Sequence, residues 1–234
     1  MDIQVIVNQM IILFLVMIIG YIANKSGILD QTQNQKMSSL VLNITSPGLI
    51  LSSVRAPTNG SLSSVIQIFL ISIAIYMVLP IMGILLSRIL KVPKEDRNLY
   101  QFMTIFSNIG FMGYPVIQSI FGDEALFFAS ICNLVFNLVC YSYGVYLIYG
   151  SGKLSFDFTQ LINPGIIFSI IAVIIYLTKY QMPQIIGETS DLIGSITTPL
   201  AMMIIGSSLA EIPIKEVLND IRIYPYTIIK QILM

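Results

Sequence analysis

Histidine and tryptophan are absent from these 234 residues, cysteine occurs twice, and Asp, Glu, Lys and Arg together supply 10% of the chain. Without histidine there is no imidazole metal ligand, no imidazole proton relay and no His-activated nucleophile. Cys132 and Cys140 lie eight apart in one apolar run, a spacing with no metal or redox motif behind it, and both read as membrane-core residues. Ordinary soluble chains carry about a quarter charged residues. The scarcity here, with a net charge of zero, moves attention from total charge to where each charge sits.

The chain is 56% hydrophobic with a mean hydropathy of +0.84, which makes it an integral membrane protein. Apolar runs near the length of about 20 residues that hydrocarbon requires occur at about 5–23, 37–54, 63–87, 99–121, 125–149, 161–178 and 189–210. An eighth, "YPYTIIKQILM", starts at Tyr224 and stops at Met234, so the chain is expected to be cut after seven complete spans and the start of an eighth. The first run follows Asp2 rather than a basic segment and shows no small-residue cleavage site, as expected of a retained helix rather than a signal peptide.

Nine basic residues, Lys25, Lys36, Arg88, Lys91, Lys94, Arg97, Lys153, Lys215 and Arg222, fall in loops after odd-numbered runs, against Arg55 and Lys179 after even ones. Odd loops are therefore expected in the cytoplasm and the N-terminus outside, in a multi-pass protein of the plasma membrane whose main partner is the lipid bilayer. The carboxylates are terminal or in loops, with Glu188 and Asp191 at the entry to the seventh run. With no His, no intramembrane acid pair and no nucleophile motif, nothing is available for covalent chemistry. No enzyme activity, cofactor, metal site or nucleic-acid partner is expected.

"SLVLNITSP" (39–47) and "DLIGSITTP" (191–199) share Leu40/Leu192, Ile44/Ile196, Thr45/Thr197 and Pro47/Pro199, each pair 152 apart. Five runs separate the copies, an odd number, so the second is inverted, as in carriers whose sites form at the bilayer midplane from interrupted helices. Asn43, Thr45, Ser46 and Pro47, with Ser195, Thr197, Thr198 and Pro199, are the polar breaks related by this repeat. Substrate access and helix packing both fit them.

The fourth run, "FSNIGFMGYPVIQSIFG" (106–122), is broken at its centre. Pro115 removes one backbone donor and orphans the carbonyl of Phe111, which hydrocarbon cannot satisfy. Asn108 and Pro115 are seven apart and share a helix face, and Gly110 and Gly113 remove side-chain bulk around it. The half-helix restarting at Pro115 offers free N–H groups and a positive dipole end to an anion, and Asn108 can add an amide donor. Asn133 and Asn137, four apart on the fifth run, either line the same cavity or hydrogen-bond between helices.

"IGYIANKSGILD", "LNITSPGLILSS", "SNIGFMGYPVIQSIFGDEAL", "INPGIIFSII" and "TTPLAMMIIGSSLAE" together resemble the auxin efflux carrier family of membrane transporters. The resemblance implies an all-α integral membrane fold of two inverted five-helix repeats with crossover helices, like bile-acid/sodium and sodium/proton transporters. Residues 1–150 would be the first repeat and 151–234 an incomplete second. It implies a scaffold of spans one, two, six and seven that supports a homodimer, and a substrate bundle that begins with spans three to five. It also implies a small organic anion as substrate, auxin in plant members and malate or malonate in bacterial ones. By the same resemblance Asn108 and Pro115 hold substrate, with Gly110, Gly113, Asn133 and Asn137 around them.

The expected function is secondary transport of small carboxylates by alternating access. The alternative is a truncated, non-transporting remnant or a regulatory, dimerising membrane protein. The native gene product is expected to exceed the 26.0 kDa of this chain by roughly 8 kDa, three more spans of about 20 residues with their loops. Intact-mass measurement checks this, and a native mass of 26.0 kDa would favour the alternative.

Overall fold

Hydrocarbon leaves a backbone no water to bond, so long apolar runs close their hydrogen bonds internally as helices. The computed structural model describes residues 3–54, 61–107, 113–149, 163–213 and 223–233, and every regular element among them is helical. The elements are α1 (Ile3–Lys25), α2 (Gln31–Leu40), α3 (Ser46–Ser52), α4 (Leu62–Ile89), α5 (Arg97–Ile105), α6 (Tyr114–Phe121), α7 (Asp123–Val139), α8 (Val145–Tyr149), α9 (Pro164–Thr178), α10 (Gln184–Ser195), α11 (Thr197–Glu211) and α12 (Ile223–Leu233). π turns at Val41–Thr45 and Cys140–Gly144 join α2 to α3 and α7 to α8.

Local chemistry sets the boundaries. Asp30 and Gln33 form a reciprocal capping box, Gln33 N donating to Asp30 Oδ1 at 2.7 Å and Asp30 N to Gln33 Oε1 at 2.9 Å. Asn163 caps α9 by accepting from Ile166 N at 3.0 Å, with Pro164 in the first turn, where its missing N–H costs nothing. One residue, Gly122 at φ +83°, separates α6 from α7, a conformation that glycine alone adopts without strain.

Four of the described helical stretches, Val7–Lys25, Leu62–Ile89, Asp123–Ile148 and Gln184–Glu211, are long and apolar enough to cross a membrane, and Pro164–Thr178 is a shorter apolar helix. That is fewer than the seven runs read from the sequence. The 37–54 run contains a π turn, and the 99–121 run holds two separate half-helices. Large apolar side chains such as Phe14, Ile19, Ile22, Ile75, Met77 and Ile81 face outward, as in a protein whose solvent is lipid.

Two groups of helices pack together. In the first, α1 lies along α11, α10 lies on α3, α11 reaches α2, and α3 also meets α9. In the second, α4 packs on α5 and α7, α7 on α6, and α5 on α8. Contacts of α7 with α9 and α3, and of α6 with α1 and α11, join the two. A buried cluster of Leu49, Ile50, Tyr114, Leu126 and Phe127 fills that junction, with Tyr176 stacked on Phe127 at 4.2 Å.

α1 and α11 run in the same direction, since Leu13 clusters with Ala201 and Met202 while Asn24, near the other end of α1, donates to Ser207 Oγ at 3.1 Å and Glu211 Oε1 at 3.2 Å. Each carries the tetrapeptide Met-Ile-Ile-Gly, at 17–20 and 203–206. The two copies meet symmetrically: a methyl on Gly20 would fall on the Met203 carbonyl and one on Gly206 on the Met17 carbonyl. With no hydrophobic drive between helices in lipid, such close backbone packing is what holds them together.

Gly20→Ala and Gly206→Ala are each expected to destabilise the protein by about 1–3 kcal/mol through overpacking. Thermal unfolding in detergent checks this, and parent-like unfolding of both variants would exclude backbone contact between α1 and α11.

Candidate functional site

The broken fourth run supplies two helix ends inside the protein. α5 closes with Phe106 N donating to Phe102 O at 2.9 Å, and Phe106 then turns extended at φ −104° and ψ 93°. The next helix begins at Tyr114, with Gly113 at its N-cap position and Pro115 buried in its first turn. Asn108 and Gly110 lie outside the described residues.

Among the described residues the hydroxyl of Tyr114, a residue 1% exposed, has no hydrogen-bond partner. It lies near the Asn133 side chain of α7, itself buried at 9% exposure, without reaching bonding geometry. On the same part of α7, Cys132 accepts from Ser72 Oγ of α4 at 3.1 Å. The structure therefore places Tyr114, which stands between Gly113 and Pro115 in the chain, beside Asn133. Asn137 is one turn further along α7, its amide already donating to the Asn133 carbonyl at 2.9 Å.

The second set of breaks lies where α3 crosses α10. α10 rests on α3 and α11 on α2, so these two chains run antiparallel. A methyl on Gly194 would stand 2.8 Å from Leu49 N and Cα, and one on Gly48 would stand 3.0 Å from Ile193 Cγ2. Pro47 is buried in the first turn of α3, beside a π turn closed by Ser46 N donating to Val41 O. Thr198 and the exposed Pro199 open α11 after Ile196, whose N–H reaches back to Ile193 O at 3.3 Å. Thr45, Ser46 and Thr197 are buried there with hydroxyls that have no hydrogen-bond partner among the described residues. The exposed Asn43 donates to Ser39 O at 2.8 Å and Ser39 Oγ at 3.0 Å, and lines a polar cavity of about 510 Å³ with Asn34 and Glu211 among others.

α12 reaches α5 from the far end of the chain. On α12, Tyr226 is 2% exposed and shares a hydrogen bond of 3.0 Å with Thr104 Oγ1, its ring edge-on to Tyr100 at 4.9 Å. One turn later Lys230 Nζ donates to the Met103 carbonyl at 2.6 Å. α12 therefore docks on α5 beside its broken end. The sequence signal was a lone lysine in an apolar run, four residues after a tyrosine and so on the same helix face.

An all-helical, lipid-exposed chain with interrupted helices meeting inside it is the architecture of a membrane transporter. The family described as membrane transport protein matches residues 5–156 and 153–234, and the chain belongs to this family, that of the auxin efflux carriers. It is 26% identical over 213 residues to the uncharacterized transporter MJ1031 of Methanocaldococcus jannaschii, covering 87% of this chain and 68% of that protein. To the uncharacterized transporter YfdV of Escherichia coli strain K12 it is 20% identical over 220 residues, again 87% of this chain and 68% of the relative.

Tyr114→Phe is expected to leave thermal stability unchanged or raised, because the hydroxyl has no bond to lose. Tyr114→Ala is expected to cost about 3–5 kcal/mol through the cavity left by the ring. Unfolding in detergent distinguishes the two, and a clear loss in Tyr114→Phe would reveal a bonded hydroxyl.

Proposed function

We propose that this membrane transporter is a secondary carrier of small organic anions that works by alternating access at the broken fourth run. The observation that carries the reading is the pair of half-helices, α5 and α6, ending inside the protein beside a buried polar group on α7. Interrupted backbone at membrane depth is tolerated where it lines a cavity or is buried in protein, and a helix start such as that of α6 favours negative charge. Asn108, Gly110, Gly113, Pro115 and Asn133 form the substrate site in this reading, with Asn137 one turn further along α7. Tyr114, with its unspent hydroxyl, is added to them.

In the same reading residues 1–150 form one five-helix repeat and 151–234 belong to its inverted partner. α1, α2, α3, α9, α10 and α11 would be the scaffold, with Asn43, Pro47, Thr198 and Pro199 at its breaks, and α4 to α8 would belong to the moving bundle. The two packing groups support this division. The symmetric contact of α1 with α11 supports a rigid scaffold on which two copies could pair. The excess of basic residues in odd loops supports a plasma-membrane protein with its N-terminus outside.

Uptake of labelled carboxylates into proteoliposomes tests the reading. Asn108→Ala in a complete, transport-competent protein is expected to weaken the cognate anion by about tenfold or more, the worth of a hydrogen bond to a charged group, with expression and folding near normal. Uptake kinetics equal to the parent's would remove Asn108 from the site.

A further inference from the structure

We propose that the polar cavity between α2 and α11 binds a primary ammonium group, with Glu211 as its counter-charge and Asn34 as a second acceptor. This ligand is separate from the anion read at the broken fourth run, and neither reading depends on the other.

α2, "QTQNQKMSSL", carries four side-chain amides in its first five residues, in a chain that is 56% hydrophobic. Gln31, Asn34, Gln35 and Ser38 recur at spacings of three and four, so they share one helix face. That face lines the cavity of about 510 Å³, with Ser208 and Glu211 contributed by α11.

Two helices hold the carboxylate in place. Asn24 of α1 donates to Glu211 Oε1 at 3.2 Å and Asn34 of α2 donates to the same oxygen at 3.1 Å. Both donors are neutral amides, so they orient the carboxylate and leave its charge intact. Lys25, next to Asn24, spends its ammonium on the Ala210 carbonyl at 2.8 Å and lies over the Tyr21 ring. With both amides on Oε1, the second carboxylate oxygen is left for a further partner.

Asn34 supplies the other acceptor. It is the buried residue of α2, 5% exposed, and its Oδ1 has no hydrogen-bond partner among the described residues. Exchanging its oxygen and nitrogen would set that oxygen against the Glu211 carboxylate, so the bond to Glu211 fixes which end is spent. An aliphatic residue would pack between α2 and α11 at no such cost, whereas the amide gives up the hydration of its oxygen. Held at its nitrogen end alone, the side chain needs only a small rotation to offer the oxygen to the cavity it lines.

Two acceptors, one of them charged, select a ligand that is positive and donates hydrogen bonds. An ammonium has three donors, one each for Glu211 and Asn34 and one for the neutral wall. A bare alkali ion answers the charge but fills little of the space, while an organic amine also covers the amides and hydroxyls around it. A free amine and the headgroup of phosphatidylethanolamine carry the same group, and the test separates them.

The full-length protein in phosphatidylcholine nanodiscs is titrated with ethanolamine, tetramethylammonium and sodium chloride, and the titrations are repeated on E211Q. Ethanolamine is expected to bind the parent, and E211Q to weaken it by about tenfold or more, the worth of a hydrogen bond to a charged group. Tetramethylammonium, equal in charge but without N–H groups, is expected to bind about tenfold more weakly than ethanolamine. N34A, expected to weaken ethanolamine as well, replaces E211Q if the latter does not fold. Repeating the titration in nanodiscs that contain phosphatidylethanolamine identifies the source: a raised apparent Kd assigns the site to the headgroup, and an unchanged one to a free amine, the site standing in both cases. No ethanolamine binding by the parent, binding equal to the parent's in E211Q, or tetramethylammonium or sodium binding as tightly as ethanolamine would overturn the proposal.

Discussion

A peptide group surrounded by hydrocarbon has no partner except another peptide or a side chain, and the irregular parts of this chain are arranged around that constraint. The outward surfaces of α1 and α4 are unbroken helix, apolar and facing lipid. Among the departures from regular helix in the described residues are the π turn before Pro47, the step at Ile196 before Pro199 and the interruption between α5 and α6. Buried side chains stand at each of them: Ser46 and Pro47 at the first, Thr197 at the second, Thr104, Ile105, Tyr114 and Pro115 at the third. Pro47 and Pro115 are themselves buried at such breaks.

Close approach between backbones is the second theme, and it distinguishes the two packing groups. Gly20 with Gly206, and Gly48 with Gly194, let α1, α3, α10 and α11 come together with no side chain between them. Contacts of this kind cannot slide without collision, since each glycine sits against one particular stretch of the partner's backbone. The second group is joined instead through aromatic rings: Phe106 meets Phe136 at 5.8 Å and Tyr76 meets Phe136 at 6.2 Å. Ring edges and faces can shift relative to one another at small cost. The contacts of the two groups thus differ in the size of the residues that make them.

Much of this was legible in the sequence because membrane helices obey a length rule and broken ones carry Pro and Gly. The runs at 5–23, 63–87, 125–149 and 189–210 correspond to long described helices, and the interruption before Pro115 falls where the fourth run was read as broken. Partnership was not legible. Nothing in "MIIG" occurring twice says that the two copies face each other, since the match becomes meaningful only when α1 and α11 are seen side by side. Lys230 and Met103 are 127 positions apart, and no local pattern links them. Asn137 shows the opposite limit: its amide bonds the carbonyl four residues back on its own helix, a local outcome that the choice between cavity lining and contact between helices did not include.

The single-residue connection at Gly122 carries a mechanical implication. α6 and α7 are joined without slack and pack against each other, so they behave as one stiff hairpin. Tyr114 and Pro115 on one arm and Asn133 on the other keep a constant separation however the hairpin tilts. A ligand seated against this hairpin would therefore meet Tyr114, Pro115 and Asn133 as one wall of fixed shape.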